Sequence, residues 1–157
     1  MTYKIKEVFP TRDAQAFVDI VKMDAELFPN SGRHLPSSGY WWIAYNEKNK
    51  PVAFAGMTKS KQKHHGEGWC AVLVRAAVKK VARGNGLQRR LIFARLAKAR
   101  ELGLEISVVY TNRNPWSENN LIACGFLPYA PVRKWADGYN MNYWRRYKHP
   151  PGRTAVS

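Results

Sequence analysis

The sequence predicts a mixed α/β domain built on one largely antiparallel sheet. Three observations carry this. Strand-like and helix-like segments follow one another as strand, helix, three strands, helix, strand, helix, two strands. A chain of 157 residues with 45% hydrophobic and 24% charged residues has the size and balance of one globular domain. A long apolar segment, Trp69 to Val78, runs into a glycine-containing turn that opens a helix.

Taken in order, Ile5 to Phe9 reads as a weak strand. Thr11 looks like a helix N-cap. Phe17, Val18, Ile20, Val21, Met23 and Leu27 then recur at near-helical spacing before Pro29. Residues 30–39 form a loop. Tyr40 to Tyr45 and Val52 to Met57 are strands joined by the turn Asn46 to Lys50. Residues 59–68 are a polar loop, and Trp69 to Val78 is a central strand. A helix runs from the glycine turn to about Leu102, with Gly103 as its C′ residue. Leu104 to Tyr110 is the fifth strand. Ser117 to Cys124 is a short helix stopped by Gly125, and Phe126 to Val132 and Asn140 to Tyr147 are the last strands. We expect a single domain over residues 1–148 and a flexible Pro/Gly-rich tail over 149–157.

Several classes are excluded. No run of 18 apolar residues is present, so no membrane partner is expected. The start, MTYKIKEVFP, lacks the apolar core of a signal peptide. Cys70 and Cys124 are too few for a disulfide framework, and no CxxC occurs. His64 and His65 with Cys70 lack a fourth ligand at useful spacing, so no metal is expected. A cytoplasmic location fits these features. The charge is less ordinary. The chain is a basic protein, with 26 Lys and Arg against 11 Asp and Glu. Residues 59–103 hold 12 basic and 2 acidic residues. That concentration asks for an anion: a phosphate-bearing cofactor, a nucleic acid or an acidic protein.

The segment Val78-Lys79-Lys80-Val81-Ala82-Arg83-Gly84-Asn85-Gly86-Leu87-Gln88-Arg89-Arg90 gives that anion a place. First-turn amides of a helix have no intrahelical acceptor. The macrodipole adds about half a positive charge there. Gly84 and Gly86 let a ligand approach the backbone. Lys79, Lys80, Arg83, Arg89 and Arg90 crowd the same end, where each basic residue in the first turn costs about 0.3–1 kcal/mol unless an anion binds. The Walker A pattern is absent, and the dinucleotide fingerprint lacks its third glycine.

The segment resembles the acyl-CoA-binding motif of the GNAT superfamily of N-acyltransferases, Arg/Gln-x-x-Gly-x-Gly/Ala. Arg83 takes the first place and Gly86 the fourth. Downstream, Asn114-Pro115-Trp116-Ser117-Glu118-Asn119-Asn120-Leu121-Ile122-Ala123-Cys124-Gly125-Phe126 is similar to the family's Asn-x-x-Ala…Gly-Phe signature. The resemblance spans about residues 69–130. It implies a mostly antiparallel sheet with helices on both faces, and acetyl-CoA as co-substrate. It implies that the backbone of Ala76, Ala77 and Val78 pairs with the pantetheine arm. The amides of Arg83, Gly84, Asn85, Gly86, Leu87 and Gln88 would hold the pyrophosphate. Asn114 would contact the pantetheine or stabilise the splay of adjacent strands. The amide of Val78 would stabilise the oxyanion. The amine attacks the thioester directly in this family, so Cys70 and Cys124 are expected to be packing residues.

Two positions depart from the pattern. Gln88 stands where the family prefers Gly or Ala, and Leu121 where many members carry a tyrosine that protonates the leaving thiolate. Tyr110 and Tyr129 are the candidate acids in its place. Glu67, with Asp24, Glu26, His64 and His65 behind it, is a candidate base. The function implied is acetyl transfer from acetyl-CoA to a primary amine: a small amine, a protein or an aminoacyl-tRNA. The alternative is a catalytically weak binding module that grips an acidic protein or nucleic acid through its basic surface. Aromatics interleaved with basic residues from Tyr143 to Lys148 suit that alternative.

Overall fold

The computed structural model describes residues 2–30, 36, 38–61, 69–111, 114–131, 135 and 141–148. Among them are strands β1 (Lys4–Val8), β2 (Tyr40–Tyr45), β3 (Pro51–Ser60), β4 (Cys70–Val78), β5 (Ile106–Thr111), β6 (Leu127–Pro128) and β7 (Asn142–Tyr147). The helices are α1 (Ala14–Leu27), α2 (Leu87–Glu101) and α3 (Pro115–Ala123), with one 3-10 turn at Lys80–Ala82. The strands are hydrogen-bonded in the order β1-β2-β3-β4-β5-β7-β6. The sheet is mostly antiparallel, and β4 pairs with β5 in parallel. This is the mixed α/β class expected. No described helix is long and apolar enough to cross a membrane.

The chain groups into two compact units. The first comprises Met1–Thr58 and Val74–Leu91, the second Lys59–Leu73 and Ile92–Ser157.

In the first unit, α1 begins two residues later than Thr11 suggests. Asp13 is the N-cap, and its Oδ1 accepts from the amides of Gln15 and Ala16 at 3.0 and 3.2 Å. The amides of Arg12 and Asp13 both donate to the Phe9 carbonyl, so Thr11 is spent in a turn. Ala16, Ile20 and Met23 recur at helical spacing and pack on Trp41, Ile43 and Phe54. Fully burying a side chain of Ile or Met size contributes about 1.5–3 kcal/mol. Trp41 pairs across the ladder with Gly56. A Cβ on Gly56 would lie 2.7 Å from the Trp41 ring, so the missing side chain is the ring's seat.

In the second unit, β5 and β7 pair over six residues, Ile106 to Thr111 against Tyr147 to Asn142. α3 starts earlier than expected because Asn114 caps it and Pro115 fills the first turn. β6 spans two residues, Leu127 and Pro128, rather than the expected Phe126 to Val132; Pro131, which has no amide to donate, follows shortly after. α2 ends as expected: Gly103 takes φ +73°, and the Leu104 amide donates to Ala99. Residues 149–157 lie outside the described residues.

Candidate functional site

The cofactor candidates from Ala76 to Gln88 all fall in the first unit, on one continuous path. β4 is not regular along it. Its parallel ladder with β5 pairs Cys70 to Val72 with Ile106 to Val108. Further along, Arg75 adopts φ +34°, a conformation that side-chain-bearing residues rarely take. Two contacts hold it there. Arg75 Nε lies 3.3 Å from Asp24 Oδ1, and the guanidinium sits 4.7 Å from the Phe28 ring centroid. Ala76 and Ala77, next in line, are half-buried, and Val78 is buried.

Beyond Val78 the chain closes on itself. The Lys79 amide donates to Val52 at 2.8 Å, and its Nζ pairs with Glu26 at 3.7 Å. Arg83 Nε donates back to the Val78 carbonyl at 3.1 Å. Asn85 Nδ2 donates to the carbonyls of Ala82 and Arg83 at 2.9 and 3.2 Å. Gly84 and Gly86 take φ +81° and +73°. A Cβ at either would meet no atom within 4 Å, so open space lies against this backbone.

α2 then begins. Its opening bond runs from the Arg90 amide to the Gly86 carbonyl, which leaves the preceding first-turn amides ahead of any intrahelical acceptor. Leu87 is buried and anchors the turn, while Arg89 and Arg90 are exposed. No acidic side chain occupies this first turn. Helix dipole and open glycine backbone therefore meet at a place that fits a phosphate or pyrophosphate, in a basic first turn whose Arg90 donates to the Tyr3 carbonyl at 3.2 Å. Gln88, one of the two departures from the pattern, is half-buried at its edge.

Of the remaining candidates, Asp24 and Glu26 lie in the first unit, paired with Arg75 and Lys79, and the others that are described lie in the second. Tyr110 and Tyr129 belong to one aromatic group through Trp135. Tyr110 meets Trp135 edge-on at 5.4 Å, and Trp135 Nε1 donates to the Tyr129 hydroxyl at 3.1 Å. Tyr143 packs against both Trp135 and Tyr129. Burial pushes the Tyr129 phenol above its ordinary range. Asn114 is exposed, and its Oδ1 caps α3 by accepting from the amides of Trp116 and Ser117. Its oxygen is thus committed to the helix. Leu121 is buried in α3. Cys70 and Cys124 are both free and buried. Burial pushes the Cys70 thiol up to about 11, which suits packing rather than nucleophilic attack. Glu67, His64 and His65 lie outside the described residues.

Sequence reasoning missed the partnership of Asp24 with Arg75. The signal was there: Asp24 follows Ile20 by one helical turn, on the face that otherwise packs apolar residues. An acid at such a position needs a cation. Sequence reasoning also passed over Glu118, whose Oε1 accepts from Asn142 Nδ2 at 3.1 Å.

A family model described as the acetyltransferase (GNAT) family matches residues 6–126. Among solved structures, the chain is similar to the NatC complex bound to Gag peptide and CoA, with 18% identity and a TM-score of 0.75 over 94% of this chain and 99% of that one. It is similar to a GNAT-family acetyltransferase from Staphylococcus aureus, with 14% identity and a TM-score of 0.69 over 94% and 100%. It is also similar to the Drosophila melanogaster polyamine N-acetyltransferase that forms N-acetylagmatine, with 13% identity and a TM-score of 0.69 over 93% and 100%. At such identities the likeness is one of fold. No curated protein matches the sequence.

Proposed function

Because the chain belongs to the GNAT acetyltransferase family across residues 6–126, we propose that it moves the acetyl group of acetyl-CoA onto a primary amine by direct attack on the thioester. The observation that carries this reading is the head of α2. Two left-handed glycines with open space beside them meet a helix N-terminus there, and the first turn carries basic and no acidic residues. GNAT enzymes use acetyl-CoA as co-substrate, and the similar NatC structure holds CoA. Bound acetyl-CoA supplies the activated acyl thioester.

The chain's own residues then have these roles. The amides from Arg83 to Gln88 hold the pyrophosphate. The backbone of Ala76, Ala77 and Val78 aligns the pantetheine arm, and the Val78 amide donates to the developing oxyanion. The Nδ2 of Asn114 is left to contact the arm, since its oxygen caps α3. Tyr129 is the better-supported acid of the two tyrosines. Its oxygen already accepts from Trp135 Nε1, so its own proton is left to be donated. Tyr110 is the second candidate, and Glu67 is the candidate base.

The acceptor is a primary amine on a small molecule, a protein or an aminoacyl-tRNA. The NatC complex with its Gag peptide and the polyamine enzyme illustrate two such classes in similar folds. A cytoplasmic setting suits two free cysteines.

Calorimetric titration of acetyl-CoA at physiological salt tests the reading, with wild type and Gly86→Trp. A Cβ at Gly86 meets no protein atom within 4 Å, so the indole projects into the space before the loop, and the positive φ of this position adds backbone strain to the block. Micromolar binding in wild type and its loss in the variant are expected. No binding in wild type overturns the reading.

A further inference from the structure

Glu118 is one of several acids of this basic chain that no arginine or lysine pairs with among the described residues; Asp13, Asp19 and Glu47 are others, but each accepts a hydrogen bond at an exposed site. Asp24, Glu26, Glu101 and Glu105 each pair with an arginine or lysine. Glu118, in the first turn of α3, has no cation within ion-pair distance among the described residues. Its carboxylate reaches across to β7 and is held by the neutral amide of Asn142. Asn114 already serves the amides of its own helix, so capping does not explain the geometry.

Glu118 and Asn142 form the polar corner of a cavity of about 500 Å³, whose other walls include Pro128, Tyr129, Tyr143 and Trp144. The volume lies in the range of small-molecule sites, roughly 300–1,000 Å³. All these residues belong to the second unit.

We propose that this cavity binds an alkylammonium group, the cationic end of the acceptor, on Glu118. The word acceptor rests on the acetyltransferase reading; the binding does not. A carboxylate that has no counter-cation among the described residues, set in a largely apolar wall, draws a positive ligand and repels a negative one. Asn142 fixes its direction. The proline and aromatic walls take a methylene stem. The Arg145 guanidinium already lies 4.6 Å from the Tyr129 ring centroid. The ligand's cation therefore belongs at the Glu118 end, with Tyr143 and Trp144 along the stem.

The test compares two probes of equal shape, pentylamine and pentan-1-ol, by tryptophan fluorescence titration of the full chain. Wild type should bind the amine at least about tenfold tighter, the scale of one charge-assisted hydrogen bond. Glu118→Gln should erase that preference, and Glu118→Asp should restore part of it. Equal affinities in wild type, or a preference that survives Glu118→Gln, overturn the proposal. The wild-type comparison decides alone if the variants fail to fold. A chain that prefers pentylamine but ignores acetyl-CoA keeps the site and removes the acetyltransferase reading. A chain that binds acetyl-CoA and shows no amine preference does the reverse.

Discussion

Asp24 on α1 and Arg75 on β4 form an ion pair, Nε to Oδ1 at 3.3 Å, with the carboxylate buried and the arginine at φ +34°. Removing one partner leaves a charge without compensation. Asp24→Ala and Arg75→Ala should each lower stability by about 3 kcal/mol. The double variant should cost clearly less than the two singles together. Urea unfolding of the four proteins measures this, and strict additivity would show that the pair is idle.

Gly56 and Trp41 give a second prediction. Gly56→Ala drives a methyl group into the indole, which lies on three ring atoms 2.7–3.0 Å from the new carbon. Overpacking of this kind costs about 1–3 kcal/mol. Trp41→Ala together with Gly56→Ala removes the clash, so the alanine at 56 should then be nearly neutral. Thermal unfolding reads both.

Asn114→Ala removes the cap of α3. The expected loss is about 1 kcal/mol of stability. Asn114→Asp keeps an accepting oxygen and should restore it. If Asn114 also touches the pantetheine arm, the aspartate variant regains stability while its KM for acetyl-CoA stays raised.

Cys70 predicts a pH profile. Only the thiolate alkylates, and burial holds this thiol near 11. In a Cys124→Ala background, where Cys70 is the remaining thiol, the iodoacetamide rate of the folded protein should rise about tenfold per pH unit up to that value. A plateau near pH 9 would show that the thiol is not shielded.

What could be read in advance followed local chemistry. Tyr40 to Tyr45 was legible to the residue because an unbroken run of aromatic and apolar side chains ends at a clear turn. The glycine loop was legible because dipole, charge and glycine fall within one short segment. Thr11 misled because Asp13 caps as well, and the carbonyl of Phe9 decides between them. Asn114 carried two signals, a cap and a resemblance, and the resemblance hid the cap. Asp24's place on the apolar face of α1 signalled the need for a cation, but which cation, like the partner of Glu118, was not legible because Arg75 and Asn142 lie far away in sequence. Only the folded sheet brings them within reach.

The bond from Arg83 to the Val78 carbonyl has a consequence for binding kinetics. With the links from Asn85 to Ala82 and Arg83, it orders the loop before any ligand arrives. A preorganised loop loses little conformational freedom on association. Encounter is then governed by diffusion and electrostatic steering, so the association rate should fall with ionic strength and show no concentration-independent step.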